Sequence, residues 1–249
     1  MRGRAPGAIR GGIARESRTI LFGGARRRRL TARLLMLAAL SGLAGGAVAV
    51  AADPAPAQVP PEGAAPPPPA PDIRWRESRA IGQPWSGRLV RGVKLPAAGP
   101  DWFTWDHVLE QQPNRWWRRY GTDTLIRTLL DVVAEHRLDN PDAPRVGIGD
   151  LSRPRGGWFG KRYGGLGHLS HQNGLDVDIW YPRRDGLERR PFRVAQVDRE
   201  LSQDLVDRFV AAGAVKVFVG PRLGLRGPRK VVVPLAHHDD HLHVRIPRP

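Results

Sequence analysis

The sequence contains no cysteine. That absence excludes a disulfide framework, a thiolate metal site and a cysteine nucleophile. Any zinc site in this chain must therefore use histidine and carboxylate side chains, a donor set more typical of catalytic than of structural zinc. The sequence also lacks internal repeats and has a single low-complexity segment, so we expect one folded domain.

Positive charge exceeds negative charge, but the excess is unevenly spread. The formal net charge is +16, and residues 1–52 carry ten of the 40 basic residues and one acidic residue. The rest of the chain has thirty basic and 23 acidic residues, a net charge of +7. Such a charge favours polyanionic surroundings, either an anionic cell wall or nucleic acid. A basic-aromatic repeat is missing apart from Trp116-Trp117-Arg118-Arg119, whose tryptophans we expect in the core, so nucleic acid is not the expected partner.

The first 72 residues predict export rather than a folded core. The arginine run Arg26–Arg29 precedes an apolar stretch from Leu34 to about Ala51 that ends in Ala-x-Ala sites. We interpret residues 1–52 as a signal peptide with a long basic n-region. An uncleaved membrane anchor is the alternative, although a stretch of about 18 residues rich in alanine and glycine is short for a spanning helix. Residues 53–72, mostly alanine and proline, predict an extended linker before a domain at residues 73–249.

Apolar periodicity within residues 73–249 predicts an α+β fold without regular alternation of strands and helices. Helical spacing follows a Thr/Asp start signal at 122–138 and recurs at 198–212, where Gly213 closes the helix. Strand-like segments occupy residues 87–95, 146–148, 215–219, 231–233 and 241–246. We predict a loop at residues 150–167, which contains more glycines than a simple connection needs and therefore suggests a functional role.

Six of the eight histidines fall into two clusters: His168 and His171, and His237, His238, His241 and His243. In the first cluster, six residues separate His171 from Asp178, and Gly174 allows the chain to turn between them. If a strand follows that turn, Asp176 and Asp178 face one side of it. The spacing therefore predicts that histidine and carboxylate side chains meet.

The second cluster alternates polar and apolar residues from His241 to Ile246. In a strand, both imidazoles would project from one face, with Cα atoms roughly 6.5 Å apart. That separation suits one histidine as a metal ligand and the other as a neighbour of the metal-bound water. Two imidazoles and one carboxylate leave one tetrahedral position open, as in hydrolytic zinc sites. We assign no role to His107 or His136, and we interpret Asp239-Asp240 as a tight turn.

Three segments of the sequence resemble the penicillin-insensitive murein endopeptidases: Ile148–Ser152, Gly164–Ile179 and His238–Arg245. This family is part of a wider group with lysostaphin-type enzymes, D-Ala-D-Ala metallopeptidases and the hedgehog signalling domain. The resemblance covers about residues 78–246. It implies a hedgehog/DD-peptidase-like fold, with a central antiparallel sheet, flanking helices and long loops.

The resemblance also implies roles for individual residues. His171, Asp178 and His243 would bind Zn²⁺, and His241 would be the catalytic general base or transition-state stabiliser. His168 and His238 match further family histidines near the metal, which contact the ligands or the substrate or add a metal ligand.

Orientation of the metal ligands is a separate expectation. Asp176 and His168 are candidates for this role, through hydrogen bonds to the ligating side chains.

The implied reaction is hydrolysis of the D-alanyl to meso-diaminopimelyl cross-link of peptidoglycan, in the periplasm or cell envelope. Zinc chemistry uses no acylated serine, which explains insensitivity to penicillin. A D-Ala carboxypeptidase with the same metal site and a non-catalytic peptidoglycan-binding module are the alternatives, and the presence of His241 argues against the second.

The expected partners are peptidoglycan stem peptides, with membrane contact only through the signal or anchor segment. Basic loop residues such as Arg153, Arg155 and Lys161 either meet the carboxylates of stem peptides or are simply solvated. The sequence predicts no oligomeric state.

Overall fold

The computed structural model describes residues 71–161 and 169–249. The expected signal peptide, nearly all of the expected linker, and residues 162–168 of the predicted loop lie outside the described residues. His168 is among them. In the two described ranges, no helix has the length and apolar character needed to cross a membrane.

The described residues form ten strands and two α-helices. The strands are β1 (Arg79–Gln83), β2 (Ser86–Val90), β3 (Val93–Lys94), β4 (Trp102–Thr104), β5 (Tyr120–Gly121), β6 (Val146–Ile148), β7 (Asp176–Trp180), β8 (Lys216–Val219), β9 (Val232–Pro234) and β10 (His241–Arg245). The helices are α1 (Asp123–Asp139) and α2 (Arg199–Ala211).

Six strands form one sheet in the order β4-β6-β7-β10-β8-β9. Its inner pairs are antiparallel, whereas β4–β6 at one edge and β8–β9 at the other are parallel. A parallel pair requires a crossover, and the chain between β4 and β6 contains α1. The structure is thus consistent with the predicted α+β fold. The predicted central antiparallel sheet describes the four inner strands and was wrong for the two edges.

The two central strands present one apolar and one polar face. Val177 and Ile179 of β7 and Leu242 and Val244 of β10 are fully buried, in the same cluster as the apolar residues of both helices. Since side chains alternate along a strand, the polar residues between them point to the opposite face of the sheet. The hydrophobic core therefore fixes the direction in which the aspartates and histidines project.

Both helices begin at the residues that the sequence indicates. The Thr122 side chain accepts a hydrogen bond from the backbone N of Leu125 at the start of α1. The Asp198 side chain caps α2 by accepting from the backbone N of Glu200 and of Leu201. Gly213, with φ +84°, follows α2 in the left-handed conformation that glycine adopts without strain.

The segment 87–95 does not form a single strand. It is divided into β2 and β3, which pair in different two-stranded sheets. Arg91 between them has φ +51°, a left-handed conformation that interrupts an extended chain. The alternation of apolar residues was correct, but the turn at an arginine carries no recognisable sequence signal.

Contrary to expectation, the tryptophans of the Trp116–Arg119 cluster are not in the core, and the arginines are buried instead. Trp116 is 56% exposed, whereas Arg118 is 1% exposed and Arg119 is 6% exposed. The Arg118 guanidinium forms an ion pair with the fully buried Asp150. It also lies 4.7 Å from the ring centroid of the half-buried Trp117. A buried carboxylate and an aromatic face together compensate the Arg118 charge, a partnership that sequence spacing does not reveal.

Candidate metal centre

His171 reaches the sheet through a tight turn. Gly174 has φ +78°, and a Cβ at this position would lie 2.8 Å from the Leu89 side chain. His171 itself has φ +66°, which is uncommon for a residue with a side chain. Backbone strain of this kind persists where the surroundings hold it, and it is concentrated at functional sites. The turn aims the His171 ring at β7.

The register of β7 and β10 brings the other two predicted ligands together. His243 lies directly opposite Asp178, and Arg245 lies opposite Asp176. His241 lies opposite Trp180. Directly opposed residues on one face of an antiparallel pair have Cβ atoms roughly 5 Å apart, within reach of side-chain contact.

The side chains converge on one carboxylate oxygen. Asp178 Oδ1 lies 3.1 Å from His243 Nδ1, 3.3 Å from His171 Nε2 and 3.8 Å from His241 Nε2. His171, Asp178 and His243 are buried and offer ligand atoms within 4.8 Å of one another. The three residues expected to bind metal are thus in one place, and His241 faces the same atom from farther away.

A second carboxylate fixes the orientation of His243. His243 Nε2 donates to Asp176 Oδ1 at 2.7 Å, and the same oxygen accepts from Arg245 Nε at 2.7 Å. Because the proton on Nε2 is engaged, Nδ1 is the nitrogen that faces Asp178. Asp176 is fully buried but is not part of the group whose donor atoms lie within 4.8 Å of one another, so it acts on the centre through His243.

Asp240 fixes the orientation of His241 in the same way. His241 Nδ1 donates to Asp240 Oδ1 at 2.7 Å, which leaves Nε2 directed at Asp178. Asp240 Oδ2 in turn accepts from Arg190 Nη1 at 3.1 Å. The sequence suggested only a turn at Asp239-Asp240, yet Asp239 binds Arg222 through its carboxylate and Asp240 holds an imidazole.

Burial and charge act in opposite directions on the pKa values of these groups. Burial raises the pKa of Asp178, but the neighbouring imidazoles of His171 and His241 hold it well below its usual range. Burial lowers the pKa of His243, but the carboxylates of Asp176 and Asp178 raise it to about 9. Without a metal ion, His243 is therefore protonated on both ring nitrogens and positively charged at neutral pH. Two buried carboxylates stabilise positive charge there, whether a proton or a metal ion supplies it.

Further aromatic and polar side chains surround the cluster. The His238 ring is half-buried, and its centroid lies 4.7 Å from that of His241 and 6.1 Å from that of His243. The Trp180 ring lies 5.5 Å from His241. Ser170 Oγ lies 3.3 Å from His243 Nε2. Of these, sequence reasoning identified His238; Trp180 was recognisable only as a residue on the same strand face as Asp178.

The two unassigned histidines occupy different surroundings. His107 Nδ1 lies 3.7 Å from Asp150 Oδ2, and its ring centroid is 5.9 Å from that of Trp180. His136 is buried between the helices, 2.5 Å from Asp204 Oδ2. His107 is therefore close to the metal-centre residues, whereas His136 belongs to the helix packing.

The donor atoms fit a divalent metal ion. Asp178 Oδ1 is buried and has no hydrogen-bond partner of good geometry among the described residues. Two imidazole nitrogens and one carboxylate oxygen are the donor set of three-ligand hydrolytic zinc sites. A cation bound by His171, Asp178 and His243 would satisfy that oxygen.

Comparison with known proteins gives one consistent family. A model of the family described as penicillin-insensitive murein endopeptidase matches residues 80–217, a range that contains His171 and Asp178 and ends before His241. A penicillin-insensitive murein endopeptidase of Yersinia enterocolitica is 26% identical over 194 residues, which are 68% of this chain and 66% of that protein. The protein of the same name from Yersinia pestis is 30% identical over the same shares of the two chains.

A third relative with this name, from Haemophilus influenzae, is 26% identical over 195 residues, or 68% of this chain and 63% of that protein. The chain thus spans slightly less than two thirds of the length of these relatives.

Proposed function

This chain belongs to the penicillin-insensitive murein endopeptidase family, and we propose that it is a zinc-dependent endopeptidase that hydrolyses D-alanyl to meso-diaminopimelyl cross-links in peptidoglycan. The observation that carries the proposal is the convergence of His171, Asp178 and His243 on one buried point, with His241 facing it. The relatives named above, murein endopeptidases, support the substrate class.

In this proposal, the metal ligands are His171 Nε2, Asp178 Oδ1 and His243 Nδ1. When zinc is bound, it supplies Lewis-acid polarisation of a carbonyl and a water molecule of lowered pKa. Asp176 keeps the proton of the neutral His243 ring on Nε2, so that Nδ1 would be the nitrogen available to the metal ion once the ring has lost its second proton. Asp178 stays ionised because its neighbours hold its pKa well below the usual range.

His241 is the proposed proton carrier. Its Nε2 accepts a proton from the attacking water and later delivers it to the amine of the leaving diaminopimelyl residue. Asp240 holds the other ring nitrogen and stabilises the imidazolium that forms between these steps. Arg190 in turn holds Asp240, with a second ion pair to Glu110 that keeps the arginine in place.

The other assignments follow from the same premise. We propose that Asp176 orients a ligand, and that His238 contacts either the substrate or the proton carrier, since its ring lies beside that of His241. His168 keeps its proposed role near the metal, but it lies outside the described residues. We also propose export to the periplasm or cell envelope and a hedgehog/DD-peptidase-like fold.

Mass spectrometry of cross-linked muropeptides tests the proposal. The full chain is incubated with purified dimeric muropeptides and zinc, beside a chelated sample and the variant His243→Ala. We expect zinc-dependent loss of dimers with a gain of monomers. His237→Asn is a matched control, because His237 is exposed and asparagine tolerates its φ of +64°.

Each alternative function gives a different result in this assay. Loss of terminal alanine alone, with dimers intact, would replace the endopeptidase by a D-Ala carboxypeptidase. Intact substrates in the presence of demonstrably bound zinc would favour a non-catalytic binding module.

A further inference from the structure

A basic cavity of about 670 Å³ lies in a part of the domain to which the proposed reaction assigns no role. Six cationic side chains line it, and Asp72 is its one acidic lining residue: Arg74, Arg76, Arg91, Lys94, Arg119 and Arg155. None of the proposed metal ligands is among its lining residues. So many cations around one concave surface create a positive potential that attracts anions.

Arg119 is the strongest sign that the cavity is a binding site. This residue is only 6% exposed, and its Nη1 donates to the carbonyl oxygen of Leu95 at 3.0 Å. Its Nε is buried without a hydrogen-bond partner, and no described carboxylate forms an ion pair with it. The neighbouring Arg118, by contrast, has a buried partner in Asp150. Burial of a guanidinium without a carboxylate partner destabilises the folded state unless another anion binds to it.

An exposed tryptophan lies beside one of the basic residues. Trp116, 56% exposed, has Lys94 Nζ 5.9 Å from its ring centroid and the Tyr120 ring at 6.4 Å. The ring of Trp75, by contrast, packs against the Arg127 guanidinium, 3.8 Å from the ring centroid. Aromatic rings offer flat apolar faces that suit a ligand with rings or apolar chains as well as charge. The surroundings thus favour an anionic ligand with less polar parts over a small inorganic ion.

The cavity is connected to the metal-binding loop through the backbone. Gly157 N donates to Gln172 O at 2.8 Å, and Thr122 N donates to Gly174 O at 2.9 Å. Gln172 and Gly174 lie one and three residues after His171, and Gly157 and Thr122 each lie two residues after a cavity residue, Arg155 and Tyr120. A polymer held in the cavity would therefore be anchored next to the loop that carries a proposed ligand.

We propose that this cavity is an anchoring site for the carboxylates of peptidoglycan, separate from the position of the scissile bond. This inference rests on the proposed function, because peptidoglycan supplies both carboxylates and sugar rings. Arg119 and the surrounding cations bind the carboxylates, and Trp116 provides an apolar surface for an adjoining group. The site would hold the enzyme on the polymer between cleavage events.

Binding of the full chain to purified sacculi tests this site. The combined variant Arg74→Gln, Lys94→Gln and Arg155→Gln removes three exposed cations from the cavity. We expect binding about tenfold weaker than in the unmodified chain, since each exposed ion pair contributes roughly a factor of two. The matched control is Arg226→Gln, Arg229→Gln and Lys230→Gln, which removes the same charge from exposed residues that do not line the cavity. It should bind as well as the unmodified chain.

Two further binding measurements identify the ligand. Sacculi whose carboxylates have been amidated should bind the unmodified chain about as weakly as untreated sacculi bind the cavity variant. Equal binding by the two triple variants would overturn the proposal in favour of a general charge effect. Stronger binding of the cavity to polyphosphate or single-stranded DNA than to sacculi would also overturn it and indicate a phosphate polymer.

Cleavage of soluble dimeric muropeptides by the unmodified chain is scored separately. Equal binding by the two variants with normal cleavage rejects the cavity and leaves the endopeptidase standing. Absent cleavage rejects the endopeptidase whatever the binding results.

Discussion

Two buried histidines in this protein each contact an aspartate, yet their surroundings shift the pKa of the imidazole in opposite directions. His136 lies between the helices with Nδ1 2.5 Å from Asp204, and His243 lies on β10 with Nε2 2.7 Å from Asp176. Burial lowers the pKa of His136, and the hydrogen bond to Asp204 does not reverse this. Burial also lowers the pKa of His243, but the carboxylates of Asp176 and Asp178 raise it to about 9.

The difference lies in how many carboxylates serve each imidazole. Asp204 is the one carboxylate that contacts His136 among the described residues, and the positive charges of Arg208 and Arg137 also lower the pKa of this histidine. His243 has a carboxylate at each ring nitrogen, and both are buried. A single shared carboxylate makes a structural contact, whereas two carboxylates around one ring create a place for a cation. We therefore expect the two histidines to respond differently to mutation, pH and metal.

Removal of His243 should have the largest effect. His243→Ala eliminates one of three proposed ligands, and we expect zinc-dependent cleavage of muropeptide dimers to fall by roughly 10³-fold or more. His136→Asn should lower stability while leaving cleavage per folded molecule unchanged. Comparable loss of cleavage in the two variants would erase the distinction between the two histidines.

The contributions of His243 and His136 to stability should also depend differently on pH. The pKa of His243 is raised from 6.5 to about 9 in the metal-free fold, so its stabilising contribution is complete below pH 6.5 and lost as pH rises through about 9. That loss is on the order of 3 kcal/mol, since one pKa unit corresponds to about 1.4 kcal/mol. Zinc should remove this alkaline loss, because the metal takes the place of the proton.

His136 should act in the opposite direction. Its pKa lies below 6.5 in the fold, so its contribution is present above pH 6.5 and lost as pH falls below that value. Thermal unfolding of the metal-free and zinc-loaded chain between pH 5 and 9.5 measures both effects. An alkaline loss that persists with zinc bound would argue against His243 as a ligand.

Asp176→Asn should weaken zinc binding without abolishing it. The amide can no longer balance the charge on His243, and loss of such an outer carboxylate typically weakens metal binding by about 10–100-fold. Competition with a zinc-binding dye measures the change. Unchanged affinity would mean that Asp176 serves only its other partner, Arg245.

Asp204→Asn should have the smallest effect. The substitution weakens the contacts of the buried His136 and of Arg208, and we expect a loss of about 1–2 kcal/mol in the free energy of unfolding. Urea denaturation measures this loss. Zinc affinity should stay the same, and a change would show that the helix pair is coupled to the metal centre.

Local sequence signals predicted the helices and the meeting of histidine and carboxylate side chains, whereas the choice of His243 over His241 as a ligand came from the family resemblance. Thr122 and Asp198 are capping residues whose role depends on their immediate neighbours. Alternation along His241–Arg245 determines which side chains share a face, and the turn at Gly174 needs only a glycine. Each of these features depends on residues that are close together in the chain, so it can be predicted from the sequence.

Contacts between distant segments were not predictable in this way. Asp240 holds the neighbouring His241, but its ion pair with Arg190 spans 50 residues. Arg118 is buried because Asp150, 32 residues later, compensates its charge, and Trp116 is left exposed. Such pairings arise from the tertiary fold, and the sequence led us to expect the tryptophan in the core.

Zinc titration calorimetry of the metal-free chain tests the central claim most directly. We expect one zinc ion to bind per chain, no binding at this site in Asp178→Asn, and unchanged binding in Asp204→Asn. Asp178→Asn that binds zinc as tightly and with the same stoichiometry as the unmodified chain would contradict the proposed centre.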